Sequence, residues 1–589
     1  MSKRKDKLYD GETLKDFREL VERYENRYGE KDAFIYKENP KAKKHISITY
    51  TQFAKDIKCL ATALLNMGLR GKKVALIAPN RYEWCVSYLA IGTSDISIIP
   101  LDKSLPDNEI KSLIVRSKAE AVIFDPKYIC IFNELYKEGN TNLKQYICMA
   151  PLDSDANSES KVDVPNNANF LDYSTLISKG KELIASGDKA YENINLDPQK
   201  VSILLFTSGT TAISKCVGLS QFNICSDIYA LSQMTDIRKE DVFLSFLPLH
   251  HTFESTCTFL YGTSCGITVA FCDGLKYVQK NLVEYKITGF VAVPLMLEIM
   301  YKKIEKGVEE QGKTKLVKII RKVCNGLLKV GIDIRSKVFK EILNQFGGKL
   351  RVLIAGGAPM NKEAIQGFVD LGINLLQGYG LTETSPVAAG ENDKYKRAGS
   401  VGFPLPGIEI KIDNPDNDGI GEIMINGPTV MHGYIDNEDA TKEVLKDGWF
   451  YTGDLGKFDK DGFLYVTGRK KDVIVLKNGK NIFPEELEIL INRLPYVSEC
   501  MVYGKPAKDN DLMICAKIVY NPDVMKELHP SKNTKDYHDI VGKDIKEQIN
   551  HSMPAYKAIR EIIVTDEPLI KTTTQKIKRH EELKKILGN

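Results

Sequence analysis

The chain has 589 residues, with 82 Lys+Arg against 78 Asp+Glu and a formal net charge of +4. Its 43% hydrophobic and 27% charged residues are those of an ordinary globular protein, which excludes a mostly disordered chain, a collagen and an integral membrane protein. At about 150 residues per domain, three or four folding units are expected.

The positive excess reads as spread along the chain. It gives no case for a nucleic-acid binder, whose basic residues concentrate on one face. The basic start Met1-Ser2-Lys3-Arg4-Lys5-Asp6-Lys7 is followed by no apolar h-region, so no secretory signal is expected. No run of about 18 apolar residues predicts a spanning helix. Twelve cysteines lie scattered from Cys59 to Cys515 without a CxxC pair, which points to reduced thiols and a cytoplasmic setting. The histidines include no HExxH. The adjacent pair His250-His251 is not expected to share a metal, and no structural zinc is expected.

Residues 51–69 have helical spacing, with Phe53, Ile57, Leu60 and Leu64 on one stripe, and Gly71 punctuates the end. Lys73-Val74-Ala75-Leu76-Ile77 reads as a buried strand, 82–91 as a helix, and 98–100 and 121–124 as short strands. This alternation predicts an α/β fold with largely parallel sheets. Polar residues 152–169 read as a surface loop. The apolar stretch 289–300, interrupted by Pro294, reads as a buried strand and helix. Residues 301–346 read as helical, with many Lys and Arg among apolar positions. A basic amphipathic helix can touch a membrane surface, although a solvated face over a core is the commoner outcome. Near 470 a charged run, Gly468-Arg469-Lys470-Lys471-Asp472, separates two apolar strands. The roughly 120 residues after it suffice for a small domain. The expected domains are therefore 1–470 and 471–589.

Five segments carry chemistry. In Leu204-Leu205-Phe206-Thr207-Ser208-Gly209-Thr210-Thr211-Ala212-Ile213-Ser214-Lys215, a β-run feeds a hydroxyl-rich loop that ends in lysine. Backbone N–H groups, hydroxyls and an ammonium suit a polyphosphate, although the Walker pattern GxxxxGK[ST] is absent. In Gln377-Gly378-Tyr379-Gly380-Leu381-Thr382-Glu383-Thr384-Ser385, two glycines permit close backbone approach. Tyr379 offers a ring to a flat base, and Glu383 can hold Mg²⁺ beside a phosphate. Asp454, in Tyr451-Thr452-Gly453-Asp454, can accept from both hydroxyls of a ribose, and Arg469 can contact the same sugar or a phosphate. The fifth is the basic tail Thr572-Thr573-Thr574-Gln575-Lys576-Ile577-Lys578-Arg579.

In this order the five segments resemble the adenylate-forming superfamily of acyl-CoA synthetases, luciferases and peptide-synthetase adenylation domains, from about Ile48 to Arg579. Leu247-Pro248-Leu249-His250-His251-Thr252-Phe253-Glu254 is similar to the LPLxHxFE segment of long-chain acyl-CoA synthetases. The 301–346 insertion and Ala355-Gly356-Gly357-Ala358-Pro359 point the same way. The resemblance implies a large N-terminal domain of parallel and mixed sheets flanked by helices, with a β-barrel-like part, and a small mobile α+β C-terminal domain. It implies ATP-dependent activation of a fatty acid as an acyl-adenylate, with Mg²⁺, followed by transfer to CoA with release of AMP and pyrophosphate.

By position, Thr207, Ser208, Gly209, Thr210, Thr211 and Lys215 would embrace the β- and γ-phosphates. Thr382 would contact the α-phosphate and Glu383 the magnesium. Gly357, Ala358, Pro359, Gly378, Tyr379 and Gly380 would frame the adenine, and Asp454 and Arg469 the ribose. Lys576 would bridge carboxylate and α-phosphate, with His251 near the reacting carboxylate. Lys471 would be the hinge. Lys477 to Asn481, including Gly479 and Lys480, would line the thiol's approach. The sequence departs from the family at Ala212, Ser214 and Cys216, at Gln221 in place of His, and at Gln575 in place of Gly. Two alternatives remain open: loading of an acyl carrier protein, and a non-catalytic binder of acyl or adenine ligands. A fatty substrate is compatible with peripheral membrane contact, which no single segment demands.

Overall fold

The computed structural model describes residues 7–150, 169–207, 214–477, 480–507, 512–572 and 577–588. Ser208, Gly209, Thr210, Thr211, Ala212, Gly479, Gln575 and Lys576, and all but the last residue of the 152–169 loop, lie outside the described residues.

The chain forms two compact units. The first comprises Met1–Thr207, Ser214–Glu409 and Asn426–Gly448, and the second is built mainly from Ile410–Ile425 and Trp449–Asn589. The expected three or four folding units are thus two. The second unit takes up strands that precede residue 470.

Two sheets organise the first unit. In one, Lys73–Ile77 lies parallel between Ser97–Pro100 and Ala121–Phe124, and the order extends to eight strands. These strands are apolar without alternation because helices cover both faces. The Tyr50–Asn66 helix buries Phe53, Ile57, Leu60 and Leu64, the stripe legible in the sequence, and the Thr49 hydroxyl caps its first turn by accepting from the Gln52 N–H. The Tyr82–Gly92 helix is buried on nearly every side, which is why it shows little amphipathic pattern.

The other sheet has nine strands. Its centre places Val242–Ser245, Gly289–Ala292, Val352–Ala355 and Asn374–Gly380 side by side and parallel, with Phe243 opposite Gly289, Gly289 opposite Val352 and Val352 opposite Asn374. Antiparallel strands Val387–Gly390 and Phe403–Pro404 complete this edge. The helical stretch expected over 301–346 divides into Pro294–Glu310, Thr314–Lys329, Arg335–Val338 and Lys340–Asn344. Gly312 and Gly331, both at positive φ, end the two long helices.

The second unit carries an antiparallel sheet in which Trp449–Phe458 pairs with Gly421–Asn426 and Leu464–Arg469. A three-stranded sheet follows, made of Val497–Pro506, Leu512–Tyr520 and Glu561–Thr565. The Pro484–Ile491 and Thr534–Asp544 helices share its core through Leu487, Ile491, Val502, Ile518 and Val541.

The twelve cysteines are all free. Among the described residues, no helix is long and apolar enough to cross a membrane. The expectation of an evenly spread positive charge fails: residues 312–340 hold nine Lys/Arg and one acid, a net +8 against +4 for the whole chain, so the rest nets −4.

Candidate active site

In open α/β sheets, ligands bind outside the carboxyl ends of parallel strands, where side chains and backbone converge without closing the ladder. In the first unit the carboxyl ends of both sheets meet in this way. The Val242–Ser245 strand runs into the loop of His250 and His251, Val352–Ala355 into Gly356–Pro359, and Asn374–Gly380 into the short helix Thr382–Thr384. From the eight-stranded sheet, Asn80 follows Lys73–Ile77, Asp102 follows Ser97–Pro100, and Thr207 ends Val201–Thr207.

Asn80 ties the two sheets together. Its amide donates to the Ser245 hydroxyl at 3.0 Å and to the Leu247 carbonyl at 2.6 Å, and its oxygen accepts from the Leu249 N–H at 3.2 Å. Nothing in the sequence marked this residue. Phe253, from the same loop, abuts the backbone of Gly356, where an added Cβ would stand 3.0 Å from the ring. The two stretches that suggested a long-chain subfamily are therefore in contact.

Thr207 and Lys215 face each other across the antiparallel pair Val201–Thr207 and Lys215–Ser220, and the Thr207 hydroxyl donates to the Lys215 carbonyl at 3.4 Å. The Lys215 ammonium sits 4.6 Å above the ring of Tyr434. The Tyr434 hydroxyl donates to Glu383 Oε1 at 2.9 Å. One aromatic residue thereby joins the phosphate-type lysine to the metal-type carboxylate.

Backbone bonds fix this arrangement. Tyr434 lies opposite Val217, the Ile435 N–H donates to the Cys216 carbonyl, and the Met431 N–H donates to the Glu383 carbonyl at 2.8 Å. Thr384 is fully buried and its hydroxyl accepts from the Leu381 N–H, so it shapes the turn and leaves Thr382 and Glu383 on the half-open face.

The two glycines of this segment differ in what surrounds them. Gly380 is required by its own fold: an added Cβ would meet the Pro386 carbonyl oxygen at 1.8 Å. At Gly378 the nearest atom would be 3.6 Å away, so only this glycine leaves room beside a ligand. Gly357, Ala358 and Pro359 are exposed on the neighbouring loop, where Gly357 takes a φ of +86°. Tyr379 stands opposite Ala389, half-buried. Gln221, in place of the family's usual His, is buried. It accepts from the Phe17 N–H at 2.9 Å and donates to the Gly92 carbonyl at 2.8 Å, which makes it part of the scaffold.

His250 and His251 do converge, contrary to the expectation from their adjacency. Together with Asp102 they bring ligand-type atoms within 4.8 Å of one another. Their ring centroids are 4.1 Å apart, and His250 Nε2 is 3.4 Å from Asp102 Oδ1. Below them Glu254 is fully buried, and desolvation pushes its carboxyl up to about 8 even though it accepts from Thr258. Glu391 is likewise pushed up to about 7 by burial while accepting from the Gln377 and Arg397 N–H groups, so it braces the Asn374–Gly380 strand just before Gly378.

Within the second unit, Asp454 and Arg469 are cross-strand partners, with Arg469 Nε 3.0 Å from Asp454 Oδ1. The guanidinium also donates to the Thr452 carbonyl, and the Gly453 N–H donates to Glu422, whose other oxygen pairs with Lys470 at 2.7 Å. Lys471 lies exposed in the short turn Lys470–Asp472. Lys480 is 3.9 Å from the Tyr556 ring, and Asn481 pairs with Val475.

The basic tail is anchored. Arg579 donates to both oxygens of Glu488 at 2.6 and 2.5 Å and to the Val502 carbonyl, and its Nε lies 3.7 Å from Asp472. Lys571 and Ile577, on either side of the stretch that holds Lys576, face each other in a β-bridge.

A family model described as AMP-binding enzyme matches residues 21–435, and one described as AMP-binding enzyme C-terminal domain matches 486–576. The long-chain-fatty-acid–CoA ligase FadD15 of Mycobacterium bovis is 29% identical over 519 residues, 84% of this chain and 80% of that protein. Long-chain-fatty-acid–CoA ligase 5 of Mus musculus is 28% identical over 91% of this chain and 82% of its own. The crystal structure of the anthranilate CoA ligase AuaEII with anthranoyl-AMP superposes with a TM-score of 0.73 at 18% identity, covering 98% of both chains. ATP-bound MatB from Rhodopseudomonas palustris does so at 0.71 and 21% identity, covering 97% of this chain and 99% of its own. These two establish the likeness of fold.

Proposed function

The chain belongs to the AMP-binding enzyme family, and from that premise we propose that it is an AMP-forming acid–thiol ligase that activates a fatty acid and delivers it to CoA. The observation that carries this reading is the linked set Lys215, Tyr434 and Glu383 at the carboxyl edge of the sheets. It provides a cation for a polyphosphate and a carboxylate beside it. The relatives named as long-chain-fatty-acid–CoA ligases support a fatty acid as the substrate.

A carboxylate has a poor leaving group, so the acid is activated first. Its oxygen attacks the α-phosphorus of ATP and pyrophosphate departs, giving the acyl-adenylate. The CoA thiolate then attacks the acyl carbon and AMP leaves. The phosphoryl step needs positioning and charge neutralisation rather than covalent help from the protein. Lys215 serves the departing phosphates, with Thr207 and the 208–211 loop. Thr382 serves the α-phosphate. Gly357, Ala358, Pro359, Gly378 and Tyr379 take the base, and Asp454 and Arg469 the ribose.

Glu383 fits a magnesium ion: it is a carboxylate on the half-open face, oriented through one oxygen by Tyr434. When bound, the ion neutralises phosphate charge. His251 serves the acid's side, on the loop that Asn80 holds through the Leu247 carbonyl and the Leu249 N–H. Lys576 bridges carboxylate and α-phosphate, and Lys471 is the hinge between a 1–470 body and a 471–589 lid that presents Lys480 and Asn481 to the thiol.

Lys576→Ala tests the assignment. Adenylate formation from ATP should fall by at least about 100-fold, while thioester formation from supplied acyl-AMP stays near the wild-type rate. Equal loss of both steps would contradict it. Loading CoA and an acyl carrier protein in parallel decides the acceptor.

A further inference from the structure

We propose that the Thr314–Lys329 helix and the turn after it form a docking face for an anionic lipid bilayer. The helix has three longitudinal stripes. Val317 and Cys324 are buried against the body of the first unit, and Asn325 fixes the helix there by donating to Asp370 Oδ1 at 2.8 Å. Leu316, Ile319 and Val323, spaced at i, i+3 and i+7, form a second stripe that is 54%, 60% and 55% exposed. Val330 and Ile332 continue it beyond the helix end at 72% and 51%. Lys315, Lys318, Lys322 and Lys329 form the third stripe, each one position and so about 100° around the helix from an exposed or partly exposed apolar residue.

Half of the apolar arc is thus uncovered, and a row of lysines flanks it. Among the described residues none of these four lysines has an acidic partner, whereas Arg321 on the inner side pairs with Glu305 at 2.8 Å. The charge is local: residues 312–340 net +8 while the rest of the chain nets −4.

A protein partner would have to cover both features with an acidic, greasy surface. An anionic bilayer covers them by its ordinary structure, with headgroup phosphates meeting the ammonium groups and the acyl boundary taking Leu316, Ile319 and Val323, while the long lysine stems snorkel. No spanning segment is involved. The proposal does not depend on which acid the enzyme activates.

The full chain is sedimented with vesicles of phosphatidylcholine alone, or with about 30% phosphatidylglycerol added, at about 50 and 500 mM NaCl. Binding should require the anionic lipid and fall at least about 10-fold at the higher salt. Combined Lys315→Glu, Lys318→Glu, Lys322→Glu and Lys329→Glu should weaken partition by at least about 100-fold. The same reversal at the exposed Lys179, Lys181, Lys189 and Lys239 should leave it within about 3-fold of wild type. Ile319→Asp with Val323→Asp should cost about 10-fold or more without changing the thermal midpoint, because both side chains are already exposed. In the folded chain, Ile319→Trp should show blue-shifted emission with anionic vesicles.

Wild type that ignores anionic vesicles would overturn the proposal, as would helix variants that bind like wild type. A dimer, or retention on duplex DNA, that the helix variants abolish while vesicle binding persists would reassign the face to that partner.

Discussion

Tyr434→Phe isolates one hydroxyl. The ring stays under the Lys215 ammonium, 4.6 Å away, while the bond to Glu383 Oε1 at 2.9 Å is lost. A hydrogen bond to a charged group contributes about 1.5–3 kcal/mol. Glu383 is half-open to water, which replaces part of the loss, so the lower end applies. About 1.5 kcal/mol corresponds to about a 10-fold fall in kcat/KM for Mg-ATP. The assay is fatty-acid-dependent pyrophosphate release across a magnesium titration, and the half-saturating magnesium concentration should rise together with the loss. Tyr434→Ala also removes the ring beneath Lys215, adding about 0.5–2 kcal/mol. In a Glu383→Ala background, which has no acceptor for the hydroxyl, Tyr434→Phe should add little, because the two act through one bond. Full additivity, or a Tyr434→Phe enzyme with unchanged magnesium dependence, would refute the linkage.

Gly380→Ala should unfold the chain or cost more than about 3 kcal/mol, since its Cβ would lie 1.8 Å from the Pro386 oxygen, while Gly378→Ala should keep a near-native melting temperature; equal thermal midpoints for the two would contradict this. Burial raises the Glu254 carboxyl from its ordinary 4.5 to about 8, so the folded state favours the protonated form. The stability this confers is complete below about pH 4.5 and is lost as pH rises through about 8, a change on the order of 5 kcal/mol. Glu254→Gln cannot ionise, and its unfolding free energy should decline less than that of wild type between about pH 6 and 9; parallel declines would show that the acid titrates normally.

What was legible in the sequence follows from the range of the interactions involved. The Phe53–Leu64 stripe and the Lys73–Ile77 run are local patterns, and both elements form over those residues. Hydroxyls, glycines and a lysine on consecutive positions marked the Thr207–Lys215 and Gly378–Glu383 segments. Tyr434 and Asn80 were invisible because each acts across sheets on residues far away in the chain, and neither sits in a chemically distinctive neighbourhood. That Gly380 is demanded by its own fold was not legible, because a sequence cannot show a facing carbonyl. Gln221 showed only as a departure from the family's His, because its two backbone partners, Phe17 and Gly92, are far away in the chain. The pairing of Arg579 with Glu488 was not legible, because the two lie 91 residues apart. Net charge hid the 312–340 cluster, because averaging over 589 residues cancels it.

The central claim is that this chain joins a fatty acid to a thiol through an adenylate. Its most direct test is product stoichiometry with Mg-ATP, CoA and a panel of acids that includes palmitate, shorter fatty acids, anthranilate and o-succinylbenzoate. The account predicts one AMP, one pyrophosphate and one acyl-CoA per turnover, with fatty acids preferred over the aromatic acids. Release of ADP, or turnover confined to an aromatic acid, would contradict it.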